Sequence, residues 1–167
     1  MIQRSPQFAV GRRRAVILTL LAVVLAAAAA WLFWDSAGRR GAVRAGDDAA
    51  QAARDAIVEI LSYQPATAQQ SLESAARDRL TGKFRDDYTQ LIKTVVLPDA
   101  VGKRITATAK VPAAAVVSAD AHHVVVLAYI DQIMAVGSAA PTQTNSAVRV
   151  TMDNVDGRWL ISGFDPV

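Results

Sequence analysis

The sequence predicts an α+β domain behind one membrane-spanning helix: three helices, then a curved antiparallel sheet of about four strands that the helices cover on one face. Three observations predict it. Residues 15–34 form an apolar run without charge. From about residue 47 to Val96, apolar side chains recur at helical spacing. After Pro98 the spacing changes to alternation, and Asp156-Gly157 near the end is a strong hairpin signal.

The first element is "AVILTLLAVVLAAAAAWLFW", 20 residues with one hydroxyl, Thr19. As a helix it would span about 30 Å, the hydrocarbon thickness of a bilayer. Trp31 and Trp34 stand where indole rings favour the headgroup region. Arg12, Arg13 and Arg14 precede the run, which puts residues 1–14 in the cytoplasm by the positive-inside rule. Arg39, Arg40 and Arg44 blur that signal, but a long following domain translocates regardless of such charges. A cleaved signal peptide is the rival reading. The length of the run, and Trp-Leu-Phe-Trp where small residues should precede cleavage, favour an uncleaved anchor. The expected localisation is therefore the plasma membrane, crossed once, with the C-terminal domain extracytoplasmic.

Residues 35–46 hold three glycines and three arginines without periodicity and read as a juxtamembrane linker. The extracytoplasmic domain then covers 47–167. Ala49, Ala52, Ala53, Ala56, Ile57, Ile60 and Leu61 mark one face of a first helix, which Pro65 ends. A second helix starts near Thr67, with Leu72, Ala75, Ala76 and Leu80 inward and Gly82 as a left-handed C-terminal cap. A third runs from Lys83 to Val96, striped by Phe84, Tyr88, Leu91, Ile92, Val95 and Val96. Asp86 and Asp87 fall in its expected first turn and Pro98 closes it.

Four strands follow. Ile105, Ala107, Ala109 and Val111 alternate with polar residues. His122–Val136 is apolar on both faces and reads as a long central strand. Val148, Val150 and Met152 point inward from the next, and "RWLISGF" follows the Asp156-Gly157 turn.

Composition narrows the chemistry. The chain has 167 residues, room for one modest domain. It has no cysteine, which excludes disulfides, thiol nucleophiles and Cys-based zinc sites. The net charge of +3 is uneven. Residues 1–44 carry seven arginines against one acid, whereas residues 45–167 carry 11 basic and 14 acidic residues. A mildly acidic globule is not expected to bind nucleic acid.

No nucleophile elbow, phosphate loop or paired-carboxylate motif occurs, so no catalytic residue, cofactor or metal is expected. His122 and His123 are strand neighbours on opposite faces and cannot readily share a metal. Tyr129 and Asp131 share one face of the long strand and could line a cavity, with Asp131 as a pocket carboxylate. Asp131 could equally meet solvent near a sheet edge. Trp159 reads as a core anchor. In "LTGKFRDDY", Gly82 ends one helix while Phe84 and Tyr88 bury themselves at i and i+4 of the next. That stretch reads as a joint between helices, with its charges solvated.

The order of these residues carries a resemblance. The Arg-flanked anchor, the alanine-rich helix ending near "SY", "TGKFRDDY", the long strand with Gln132 and the terminal "DGRWLISGF" resemble the actinobacterial Mce-associated membrane proteins over roughly Arg12 to Val167. The matching positions are Gly82, Phe84, Tyr88, Gly157 and Trp159, all structural in the reading above. The resemblance implies a cone-shaped, nuclear-transport-factor-like fold shared with type IV secretion scaffold proteins. It implies a non-enzymatic accessory or stabilising role in an Mce-type lipid import complex of the cell envelope. The expected partners are Mce complex proteins and the lipid bilayer, with direct lipid contact open. An inner-membrane scaffold of a secretion machine and a small-molecule-binding cone are the alternatives.

Overall fold

The computed structural model describes residues 41–167. Helix α1 occupies residues 41–61 of these. It is followed by α2 (Ala68–Arg79), α3 (Gly82–Leu91), a π-helical turn (Ile92–Val96) and α4 (Leu97–Gly102). Strands β1 (Ile105–Ala119), β2 (His123–Val136), β3 (Thr142–Val155) and β4 (Arg158–Pro166) complete the domain. Because α3, the π turn and α4 are continuous, the domain has the three helices and four strands that the sequence predicts. The expected membrane segment, residues 15–34, and the basic residues 1–14 lie outside the described residues. Among the described residues no helix is long and apolar enough to cross a membrane.

The sheet is an antiparallel meander, ordered β1-β2-β3-β4. One face meets the helices. Val124, Val126, Ala128 and Ile130 of β2, with Val148, Val150 and Met152 of β3, are buried there. They join Ala49, Ala53, Ala56, Ile57 and Ile60 of α1, and Leu72, Ala75 and Ala76 of α2. Alanines on α1 let its backbone lie close to the sheet, at the cost of less apolar area per residue than leucines would bury.

Several local expectations change. Helix α1 already includes residues 41–46, assigned to the linker from their glycines. Gly46 is buried, and a Cβ there would stand 3.3 Å from Ala119 Cβ. That residue is glycine because the end of β1 lies against it. Gly82 has a positive φ of 57°, as expected, but it opens α3 rather than capping α2. Helix α2 ends earlier, and Leu80 and Thr81 are extended. They run beside β4, where the Thr81 N–H donates to the Ile161 carbonyl at 2.9 Å. Asp86 and Asp87 consequently fall outside the first turn of α3.

Pro98 does not close the third helix. The π turn precedes it, with the Leu97 N–H reaching back five residues to the Ile92 carbonyl. A proline within an α-helix clashes with the carbonyl four residues earlier and leaves it without a donor. The wider turn makes room, so Pro98 sits in the first turn of α4. The extra residue also shifts the apolar stripe. Ile92 is buried and Val96 and Leu97 contact the core, while Leu91 and Val95 are exposed.

Strand β1 is twice as long as its alternating segment suggests, because it continues through Pro112 to Ala119. Pro112 is tolerated on an edge strand, at a shift in register between Lys110 and Ala113. A second shift leaves Val117 unpaired between Val116 and Ser118. The turn at Asp156-Gly157 has positive φ at both residues, 51° and 79°, as the twist of a two-residue hairpin requires.

Candidate functional site

Two of the residues that carry the resemblance, Tyr88 and Gln132, meet at the C-terminal end of α1. A helix leaves its last four carbonyls without partners inside the helix. Here the Tyr88 hydroxyl, on α3, donates to the Ile60 carbonyl at 2.5 Å. Gln132 Nε2, on β2, donates to the Leu61 carbonyl across a long 3.4 Å. Ser62 Oγ accepts the Ala109 N–H at 2.9 Å, and Tyr63 exchanges two backbone hydrogen bonds with Ala107, at 2.9 and 3.0 Å. The end of α1 is thereby tied to α3, β1 and β2 together. Burial, with Tyr63 nearby, holds the Tyr88 hydroxyl well above the ordinary tyrosine range. It is a neutral donor at any physiological pH.

Phe84 extends this seat toward the other edge of the sheet. Its ring lies 6.1 Å from Tyr88 and stacks on Phe164 of β4 at 6.1 Å, the planes 8° apart. The charges of "KFRDD" stay outside. Lys83 pairs with Asp87 and Arg85 with Asp86, all in solvent. "LTGKFRDDY" thus leads from α2 into α3 and packs that connection against α1 and β4.

Trp159 is half-buried against the core. It lines a groove with Ala52, Glu59, Asp78, Arg79 and Arg158. Arg79 spans from α2 to α1, its Nε and Nη2 donating to the two Glu59 oxygens at 2.8 and 2.6 Å. This fork commits the Nε and one Nη2 N–H of Arg79 to the Glu59 carboxylate.

Tyr129 and Asp131 do not line a cavity beneath the helices. They lie on the opposite, uncovered face of the sheet, and Tyr129 is 52% exposed. Asn145 on β3 donates from Nδ2 to Asp131 Oδ1. Only alternate residues of β2 meet the helices, so a strand that is apolar on both faces is here buried on one. His122 and His123 sit at the β1–β2 turn, where Asp120 Oδ1 accepts both backbone N–H groups at 2.8 and 2.7 Å. Those bonds hold the Asp120 carboxyl below its usual range. His123 Nδ1 lies 2.7 Å from Asp153 Oδ1. Among the described residues no three His, Asp or Glu side chains group as metal ligands.

Sequence reasoning found Tyr88 and Gln132 but not their common target. The partners are 28 and 71 residues away, and only the three-dimensional meeting of α1 with α3 and β2 reveals it. Arg54, which donates to the Ala114 carbonyl at 3.0 Å and so covers part of the β1 edge, gave no signal in the sequence.

This architecture recurs in solved structures at low identity. An IcmL-like type IV secretion system protein from Legionella pneumophila aligns with a TM-score of 0.60 at 13% identity, covering 71% of this chain and 88% of that one. A periplasmic fragment of TraM gives 0.59 at 12%, covering 72% and 95%. VirB8 of Agrobacterium tumefaciens gives 0.57 at 15%, covering 70% and 88%. These likenesses establish the fold. The family described as "Uncharacterized protein Rv1363c/MT1408-like" matches residues 8–167. The chain belongs to the Rv1363c/MT1408-like family. Its similarity to "Outer membrane protein Rv1973" of Mycobacterium tuberculosis is 48% identity over 151 residues, 90% of this chain and 94% of that protein. "Uncharacterized protein Rv1362c" of the same organism is 39% identical over 158 residues, 91% of this chain and 70% of that one. The Rv1363c/MT1408-like match includes residues 15–34 as well as the domain described here.

Proposed function

We propose that this protein is a membrane-anchored, non-enzymatic subunit that stabilises an Mce-type lipid import complex in the cell envelope. The observation that carries the proposal is the seat of α1. Several of the residues on which the resemblance rests, Ser62, Tyr63, Tyr88 and Gln132, are engaged in holding the end of the first helix to α3 and the sheet. Their chemistry is that of neutral hydrogen bonds, apolar contact and aromatic stacking. Such residues fix a shape and do not turn over a substrate. The uncharged run 15–34 supports a single-pass anchor in the plasma membrane, with the N-terminus cytoplasmic and residues 47–167 outside. The relative named as an outer membrane protein supports an envelope location in general.

A scaffold role in a secretion machine is the second reading. The fold shared with type IV secretion periplasmic domains favours it. Capture of the full chain in mild detergent, followed by mass spectrometry, separates the two. Mce proteins and their permease are the expected companions; secretion ATPases in their place would favour the scaffold. A subunit that binds only the assembled complex stabilises it by mass action. Deleting the gene should therefore lower the abundance of the companion proteins together with lipid uptake. Unchanged companions alongside lost uptake would point to a direct part in transport and sink the stabilising role.

A further inference from the structure

Three exposed valines, Val43, Val116 and Val117, lie on the start of α1 and the end of β1. Ala42, Val43, Gly46 and Asp47 of α1 form a groove of about 290 Å³ with Val116 and Ala119 of β1. Val43 is 63% exposed, and Val117, the unpaired residue of the bulge next to Val116 in the chain, is 61% exposed. A bulge re-aims a side chain, and here it leaves a valine in water. Arg44 lies next to Val43 and is also exposed.

The covalent chain limits how far this end can be from a bilayer. Six residues, 35–40, separate Trp34, the last residue of the apolar run, from Gly41. Fully extended, that connection reaches no more than about 25 Å. The opposite end of the sheet is much farther away. Strand β2 runs from Val124, paired with Ala119, to Val136, paired with Ile105, a length of roughly 40 Å at 3.3 Å per residue. The connection therefore holds the start of α1 within about 25 Å of the end of the apolar run.

We infer that Val43, Val116 and Val117, with Arg44 beside them, form a contact surface for the lipid bilayer. The inference rests on the anchor proposed above. Exposed valines gain by entering the boundary between headgroups and acyl chains, and Arg44 gains beside anionic headgroups. The patch is too small to recruit a free protein. It need not, because tethering raises the local concentration of the surface to the order of millimolar. Contact of this kind would fix the tilt of the domain over the membrane and so the direction in which its uncovered sheet face is presented.

The chain has no cysteine, so single labels can be placed without background. Full-length Val117→Cys and Ser138→Cys would each carry an environment-sensitive fluorophore. Ser138 lies in the β2–β3 turn, at the far end of the sheet. Both would be reconstituted in vesicles of phosphatidylcholine and phosphatidylglycerol containing headgroup-spin-labelled lipid. The expected result is quenching at position 117 and none at 138. Adding Val43→Asp, which alters an exposed side chain, should reduce quenching at 117 without unfolding the domain. Vesicle-bound protein with equal quenching at both positions, or none at either, would overturn the contact and leave the anchor standing. Failure of the protein to float with vesicles would overturn both.

Discussion

The Tyr88 hydroxyl caps α1 by donating to the Ile60 carbonyl, 28 residues back in the chain. Tyr88→Phe keeps the ring and removes the donor, leaving a partly buried carbonyl without its partner. The expected loss is about 1–2 kcal/mol in a urea titration. The same pair predicts a pH dependence. The folded pKa of Tyr88 is raised above the ordinary 10.0, so the folded state keeps the proton longer than the unfolded chain. Its contribution is complete below pH 10 and declines as the pH rises beyond that value. Wild-type protein should lose more stability than Tyr88→Phe between neutral pH and about pH 11. Parallel losses in the two proteins would contradict this assignment.

Gly82 opens α3 at φ 57° with open space around it. The cost of a side chain there is therefore backbone strain alone. Gly82→Val should destabilise by roughly 1 kcal/mol or more, and Gly82→Asn by less, since asparagine tolerates the left-handed region. Arg85→Ala, in solvent three residues on, should stay within about 0.5 kcal/mol. Thermal melts of the three variants give the order directly.

Phe84 and Phe164 join α3 to β4 by a stacked pair. A double-mutant cycle with leucine at each position should return a coupling of roughly 0.5–1.5 kcal/mol. Additive single effects would mean that the two rings only share a neighbourhood.

Arg79 and Glu59 are each more than a third exposed in their side chains. Arg79→Ala should cost no more than about 1 kcal/mol despite the two short hydrogen bonds, and the difference from wild type should shrink with added salt. A salt-independent loss would indicate packing by the arginine stem instead.

Asp131 and Tyr129 lie on the uncovered face of the sheet. Asp131→Asn, made in folded protein, should leave companion abundance and lipid uptake unchanged if the protein acts by holding its complex. Loss of uptake at normal abundance would instead give that carboxylate a role in transport.

The sequence made the fold legible where a single element carries its own period. Leu72, Ala75 and Ala76 of α2 and Val148, Val150 and Met152 of β3 are buried as their spacing predicts. The reading went astray where one element alters another. Pro98 signals a helix end until the π turn before it supplies the room its ring needs. Val124 to Ile130 suggests a strand buried on both sides, yet the helices suffice to cover only one. For the candidate site, local motifs singled out Gly82, Phe84 and Tyr88. What that stretch grips is set by contacts across 28 residues to Ile60 and 80 residues to Ile161 and Phe164, and no local pattern records those.

The chain order of the domain has a consequence for its synthesis. All the described helices precede β1, and every strand pairs with the next one along. A nascent chain therefore delivers α1 through α4 before any surface exists for them to cover. In that interval the inner face of α1 is exposed, but Ala49, Ala50, Ala53 and Ala56 make it a weakly adhesive face. The sheet then assembles by successive neighbouring hairpins, whose contacts are local and close quickly. Strand β4, the last of the sheet, brings Phe164 to Phe84 and Ile161 to Thr81, so the domain's last strand locks the joint between α2 and α3. A ribosome stalled before β4 would leave that joint open, with Phe84 in water and β3 as an unprotected edge.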